Sequence, residues 1–148
     1  MLSRSAPPSM HEVFENTVRF EETDAQGIVF YGNYATYQDE SFNEYMEAIG
    51  FPFDAVDERE WDAHVVDVAL RYRKPATFRD RLTNSLRVTR IGDSSIEFAY
   101  ECRNADGELL ADGSVTHVVV DESGSPMRVP DELRNAIVAF QDEPPELS

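Results

Sequence analysis

One lysine, Lys74, and one cysteine, Cys102, occur in the 148 residues. A lone cysteine excludes an internal disulfide and any CxxC metal knuckle. No apolar run approaches the ~20 residues that cross a bilayer as a helix. The N-terminal MLSRSAPPSMHE carries an arginine but no apolar core, so no secretory signal is read there and a cytoplasmic location is expected. Positive charge is scarce. Thirteen Lys+Arg stand against 29 Asp+Glu, a formal net charge of −16. That balance argues against a sequence-independent grip on nucleic acid and against docking on anionic lipid. Several catalytic signatures are missing too: no G-x-S-x-G nucleophile elbow, no G-x-G-x-x-G or Walker loop, and no H-E-x-x-H.

What remains is ample for a core. At 41% hydrophobic and 11% aromatic residues, one globular domain that folds without disulfide or metal is expected. Twelve arginines accompany the single lysine. Acidic excess with lysine depletion resembles proteins of salt-loving microbes, in which salt screens carboxylate repulsion. A halophilic source is therefore expected, and most acids read as solvated surface. Residues 1–10 read as a flexible arm, 11–140 as the domain, and 141–148 as a polar tail.

Hydrophobic periodicity predicts one strand, one long helix and four antiparallel strands. Val13 to Phe20 forms the first strand. The polar loop Glu21–Gly27 follows, with Gly27 able to take positive φ. Asn33 is the expected N-cap of a helix to Ile49, with Tyr34, Tyr37, Ser41, Tyr45 and Ala48 on one face and Gly50 and Pro52 beyond its end. Alternation then runs through Val66–Tyr72, Leu82–Val88, Ile96–Cys102 and Leu109–Val119, with a hairpin turn at Asn104–Gly107. Pro130 and Asp131 open a C-terminal helix through about Phe140. The fold class is α+β, an antiparallel sheet wrapped around one long helix.

The three histidines, His11, His64 and His117, are scattered and read as ordinary. Cys102 falls on an apolar strand phase and reads as a buried, inert thiol. One stretch carries chemistry. Asp24 lies in the loop before a helix whose free N–H groups and positive dipole end can stabilise an oxyanion. A carboxylate beside such an end can act as base or nucleophile on an activated carbonyl. Asp24 can equally cap a turn.

The segment Thr23-Asp24-Ala25-Gln26-Gly27-Ile28-Val29-Phe30-Tyr31-Gly32-Asn33-Tyr34 resembles the hotdog-fold acyl-CoA thioesterases of the 4-hydroxybenzoyl-CoA thioesterase family. Weaker matches are Tyr72–Ala76, Asp80–Leu82, Ser95–Phe98, and Val120-Asp121 followed by Pro130. The resemblance spans about residues 14–140. It implies a hotdog fold and hydrolysis of an acyl-CoA thioester, with no metal or redox cofactor. It makes Asp24 nucleophile or general base and the Tyr31 backbone N–H an oxyanion donor. Gly27, Asn33, Tyr34, Tyr37 and Asp39 are then expected around the acyl group, with Tyr31 and Asp39 leaning toward an aromatic one. Lys74, Arg87 and Arg90 are the candidates for holding CoA. The resemblance also implies a homodimer joined sheet edge to sheet edge, or a homotetramer, with sites at subunit interfaces. This chain departs from the pattern at Phe30, where Trp is common, at Arg79, where Gly is usual, and in the Arg90–Ser94 loop, which lacks a basic cluster. Two alternatives stay open: an acyl-CoA-binding module without turnover, and a hotdog hydratase or dehydratase. The second needs a His beside the acid, and this loop has none.

Overall fold

The computed structural model describes residues 10–148. Strand β1 (His11–Thr17) leads through a short 3-10 turn at Phe20–Glu22 to helix α1 (Asn33–Ala48). A second 3-10 turn at Phe53–Glu58 precedes β2 (Asp62–Tyr72). Then come β3 (Arg81–Ile91), β4 (Ser95–Arg103), β5 (Leu109–Val120), α2 (Asp131–Phe140) and a two-residue strand, β6 (Glu146–Leu147). The sheet order is β1-β3-β4-β5-β2, antiparallel throughout, with β6 added parallel to β3. Among the described residues no helix is long and apolar enough to cross a membrane.

The alternation seen in sequence sorts β4 cleanly. Ile96, Phe98, Tyr100 and Cys102 point inward and are buried, and the residues between them are not. Helix α1 lays Tyr34, Tyr37, Ser41 and Tyr45 into this core. The Tyr45 ring meets Phe98 edge to face, and the Tyr45 hydroxyl donates to Gln141 Oε1 at 2.7 Å. Gly113 has a packing role. A Cβ at that position would collide with the backbone carbonyl oxygen of Ala69 on β2, so only glycine lets the two strands approach there.

Three segments in succession close the outer edge of β3. β1 pairs with residues 81–86. The Gln141 side-chain amide then imitates a strand: its Oε1 accepts from the Val88 N–H at 2.6 Å, and its Nε2 donates to the Val88 carbonyl at 3.0 Å. β6 finally pairs with Arg90 and Ile91. Among the described residues no segment covers the opposite edge, β2. Val65, Val66, Val68 and Tyr72 are 48%, 60%, 46% and 49% exposed. A long apolar edge strand is a template for pairing with another chain.

Several expectations are corrected. Phe20 ends no buried strand; β1 stops at Thr17 and Phe20 packs on exposed Phe78. The alternation of Val66–Tyr72 does not bury one side, because β2 lies at the sheet edge beyond α1. Asn33 is not the N-cap. Gly32 occupies that position, and Asn33 Nδ2 instead donates to the Glu22 carbonyl at 2.7 Å. The polar segment 141–148 is tied to the sheet through Gln141 and β6 rather than trailing from it. The arm at 1–10 lies, but for Met10, outside the described residues.

Candidate active site

The loop before α1 is a tight hairpin. Phe30 N–H donates to the Glu22 carbonyl and Asp24 N–H to that of Ile28, each at 2.9 Å, with a bridge between Thr23 and Val29. At its tip Gly27 has φ +80°, a conformation that other residues adopt only with strain. The Asp24 Oδ1 accepts from the Gln26 backbone N–H at 2.9 Å. The turn-capping role is therefore real. It uses one carboxylate oxygen and orients the other.

The base of the hairpin is pinned to α1. Glu22 accepts from the Arg19 backbone and guanidinium and from the Tyr37 hydroxyl, the last at 2.9 Å. Burial pushes the Glu22 carboxyl up, but these hydrogen bonds more than offset it and leave the group below the usual range. Burial, then Glu22, pushes the Tyr37 hydroxyl up, so it stays a neutral donor. Tyr37 is thus a brace of the loop, buried rather than open to an acyl group.

Where chain enters helix, the Tyr31 and Gly32 N–H groups donate to no acceptor among the described residues, as the first turn of a helix leaves them. The Tyr31 carbonyl accepts from Tyr34 N–H at 3.3 Å and from the Tyr72 hydroxyl at 3.2 Å. A cavity of about 270 Å³ opens beside it, lined by Tyr31, Tyr34, Tyr72, Arg73, Lys74 and neighbouring apolar residues. Lys74 at its mouth pairs with Glu108, and Arg73 with Asp112 at 3.1 Å.

A second, larger cavity of about 540 Å³ lies along α1. Asp39, Phe42, Phe51, Arg59 and His117 are among its lining. Asp24, Gly27 and Asn33 line neither cavity. Of the expected CoA ligands only Lys74 stands near Tyr31. Arg87 pairs with Glu143 at 3.3 Å and Arg90 with Glu97 at 3.1 Å. Arg90 lies nine residues along β3 from Arg81, which pairs with Thr17 beside the loop, a distance of about 30 Å. One chain does not bring Arg87 and Arg90 to the Asp24 loop.

The sequence assigned Tyr72 and Arg73 no site role beyond their place in the weaker match Tyr72–Ala76, and His117 read as ordinary. The run Arg71-Tyr72-Arg73-Lys74 carried a signal for the first two. His117 carried only its place on the inward phase of β5. Cys102 is buried as expected, its thiol pushed up to about 12 by burial. Arg79, at a position where the resemblance expects glycine, has φ +75°. Among the described residues no three His, Cys, Asp or Glu side chains cluster as a metal site requires.

Comparison with known proteins agrees with this architecture. The 1,4-dihydroxy-2-naphthoyl-CoA hydrolase of Nostoc punctiforme is 29% identical over 126 residues, covering 84% of each chain. The acyl-CoA thioester hydrolase YbgC of Escherichia coli O6:H1 is 28% identical over 123 residues, 82% of this chain and 89% of that one. The crystal structure of the hypothetical protein TT1821 from Thermus thermophilus superposes with a TM-score of 0.81 at 27% identity, covering 88% of this chain and 99% of its own. These are hotdog folds, and so is this chain. The family model described as the thioesterase-like superfamily matches residues 18–137, nearly the whole domain. The chain belongs to the thioesterase-like superfamily, whose reaction class is thioester hydrolysis.

Proposed function

We propose that this protein hydrolyses an acyl-CoA thioester to a carboxylic acid and CoA. In this reading Asp24 is the nucleophile or general base, and the Tyr31 N–H at the start of α1 binds the oxyanion. The observation that carries the reading is the hairpin: it fixes one Asp24 oxygen in the loop that delivers the unpaired N–H groups of Tyr31 and Gly32. As a nucleophile, Asp24 attacks the thioester carbonyl carbon. The C–S bond breaks, CoA leaves as thiolate, and water hydrolyses the resulting anhydride. As a base, Asp24 takes a proton from water while the hydroxide attacks, and that proton passes to the departing thiolate. Both routes place negative charge on the carbonyl oxygen, which the N–H donors and helix dipole stabilise.

The working form in this reading is a cytoplasmic homodimer or homotetramer joined along β2. Support comes from the asymmetry of the sheet: among the described residues one edge is closed by three segments and the other is apolar and open. Tyr34, lining the cavity beside Tyr31, and Asp39, lining the one along α1, are assigned to the acyl group. Lys74, with Arg73, is assigned to the CoA phosphates. The acyl group is read as aromatic, in keeping with the hydroxynaphthoyl thioester named for the Nostoc relative.

One observation favours a second reading, an acyl-CoA-binding module without turnover: Asp24 already has a structural task in the turn. Thiol release from short-chain, long-chain, benzoyl and 4-hydroxybenzoyl-CoA separates the two. Wild type is expected to turn over, and Asp24→Asn to lose about 10²–10⁴-fold. CoA binding without hydrolysis of any thioester, at low or molar KCl, refutes the hydrolase reading.

A further inference from the structure

The two unpaired N–H groups at the start of α1 belong to different peptide planes. Tyr31 N–H shares its plane with the Phe30 carbonyl, which accepts from Asn33 N–H at 2.9 Å. The chain's own first turn therefore fixes that plane. Gly32 N–H shares its plane with the Tyr31 carbonyl. Within the first turn that carbonyl accepts only from Tyr34 N–H, at 3.3 Å.

A second donor reaches the Tyr31 carbonyl from 41 residues away. The Tyr72 hydroxyl donates to it at 3.2 Å. A carbonyl oxygen has two lone pairs and can accept both bonds. Neither bond is short, so the plane depends on the two together. The aim of Tyr72 is set by the sheet. Its backbone pairs with Ala111 of β5, and Arg73 N–H donates to the Leu110 carbonyl at 2.7 Å. Its ring meets those of Tyr31 and Tyr34 near edge-on, with centroids 6.2 and 5.5 Å apart. Further along, the Ala76 carbonyl accepts from Val29 N–H at 2.9 Å. The end of β2 is thus fastened to the loop before α1 by backbone and by this hydroxyl. Burial, then Tyr31, pushes the Tyr72 hydroxyl up from its ordinary value, so it remains a donor at neutral pH.

The bond has a consequence on the other side of the peptide. No cis bond occurs among the described residues, and in a trans peptide C=O and N–H point in opposite directions. Holding the Tyr31 carbonyl toward Tyr72 therefore holds Gly32 N–H outward, away from the helix body. A donor on the carbonyl also polarises the N–H of the same peptide and strengthens it as a donor.

We propose that Tyr72 is a positioning residue of the oxyanion site: its hydroxyl holds and polarises the Tyr31–Gly32 peptide, so that Gly32 N–H serves beside Tyr31 N–H as a donor to the oxyanion. This rests on the reading of the chain as an acyl-CoA hydrolase. It adds to that reading a residue of the edge strand that acts through the backbone and touches no reacting atom.

Tyr72→Phe removes the hydroxyl and keeps the ring against Tyr31 and Tyr34. Its kcat on the thioester that wild type cleaves best is expected to fall about three- to tenfold, the scale of one hydrogen bond. KM should stay within twofold, since an interaction realised in the transition state lowers kcat alone. A kcat within twofold of wild type overturns the proposal, whether or not KM rises. Two inhibitors read the same effect without turnover. Trifluoroacetonyl-CoA carries a ketone whose hydrate mimics the tetrahedral intermediate, and propyl-CoA is a thioether with no carbonyl. Tyr72→Phe should weaken the first by the factor lost in kcat and leave the second unchanged. Equal weakening of both means a general distortion and overturns the proposal. If Tyr72→Phe does not fold, wild type decides by NMR. The Gly32 amide proton should move downfield with trifluoroacetonyl-CoA and not with propyl-CoA; equal movement refutes Gly32 as a donor. If wild type cleaves no thioester, the hydrolase reading fails and the role of Tyr72 falls with it. An active wild type with an unaffected Tyr72→Phe sinks the role of Tyr72 alone.

Discussion

Replacing Gln141 by leucine is the sharpest test of how this fold closes its sheet. Gln141 has nearly the volume of leucine, is 7% exposed, and follows the last residue of α2. Its amide satisfies the Val88 N–H, the Val88 carbonyl and the Tyr45 hydroxyl at 2.6, 3.0 and 2.7 Å. Leucine fills the space, strands these three groups and also removes the 3.0 Å bond from Gln141 Nε2 to the part-buried Glu143 carbonyl. A buried polar group without a partner costs about 1–3 kcal/mol. Three such groups, partly relaxed or reached by water, imply roughly 3–6 kcal/mol, a large part of the ~5–15 kcal/mol that holds a domain together. At about 2–4 °C per kcal/mol for a chain of this length, Tm falls by roughly 6–24 °C. Tyr45→Phe removes one donor and leaves Gln141 its backbone bonds, so its loss should stay near ~1 kcal/mol. Thermal denaturation followed by circular dichroism, with a urea series for the slope, reads both. A Gln141→Leu melt within 2 °C of wild type would mean that water replaces the amide freely, and the account of the closed β3 edge would be wrong.

Three further outcomes follow. Burial, with a smaller effect of His64, lowers the His117 imidazole to about 4, against an unfolded value near ~6.5. The unfolded chain therefore takes up this proton first on acidification, and stability falls from about pH 6.5 down to pH 4 by roughly 3 kcal/mol; urea midpoints measured across that range should show a slope that His117→Phe removes. At Asp24, asparagine can keep the acceptor for Gln26 N–H whereas alanine cannot, so Asp24→Ala should melt below Asp24→Asn by the ~0.5–1.5 kcal/mol of one hydrogen bond; equal melts would remove the turn role. With a net charge of −16, the folded state should gain stability as KCl rises from millimolar to molar through screening, and a Tm independent of salt would end the halophile reading.

Helix α1 was legible because its cause is local. Tyr34, Tyr37, Ser41 and Tyr45 share a face by spacing alone, and Gly50 with Pro52 stops the run. Gly27 was legible for the same reason: a backbone conformation within one turn selects its residue. β4 and its hairpin to β5 followed from alternation and the Asn104–Gly107 turn. Asp24 stood out because a carboxylate beside a helix start is a chemical pattern within ten residues of chain. Asn33 misled, since its side chain suited both a cap and a bond to the Glu22 carbonyl eleven residues back, and spacing does not choose between them.

The partners that lie far apart in sequence were not legible. Val66, Val68 and Tyr72 alternate like any half-buried strand, yet sheet order places them on an open edge. His117 has the same local sequence signal as a satisfied core histidine, yet its Nδ1 has no partner among the described residues, with Phe42 of α1 stacked on its ring. Gln141 sits in a polar terminal run and becomes core because the β3 edge needs a donor and an acceptor at Val88. Local dihedral preference and side-chain periodicity act over a few residues, so elements, turns and the loop chemistry were written in the chain. Burial and hydrogen-bond satisfaction depend on which elements meet, so the open edge, the cavity along α1 and its unpaired histidine exist only once the sheet has closed around α1.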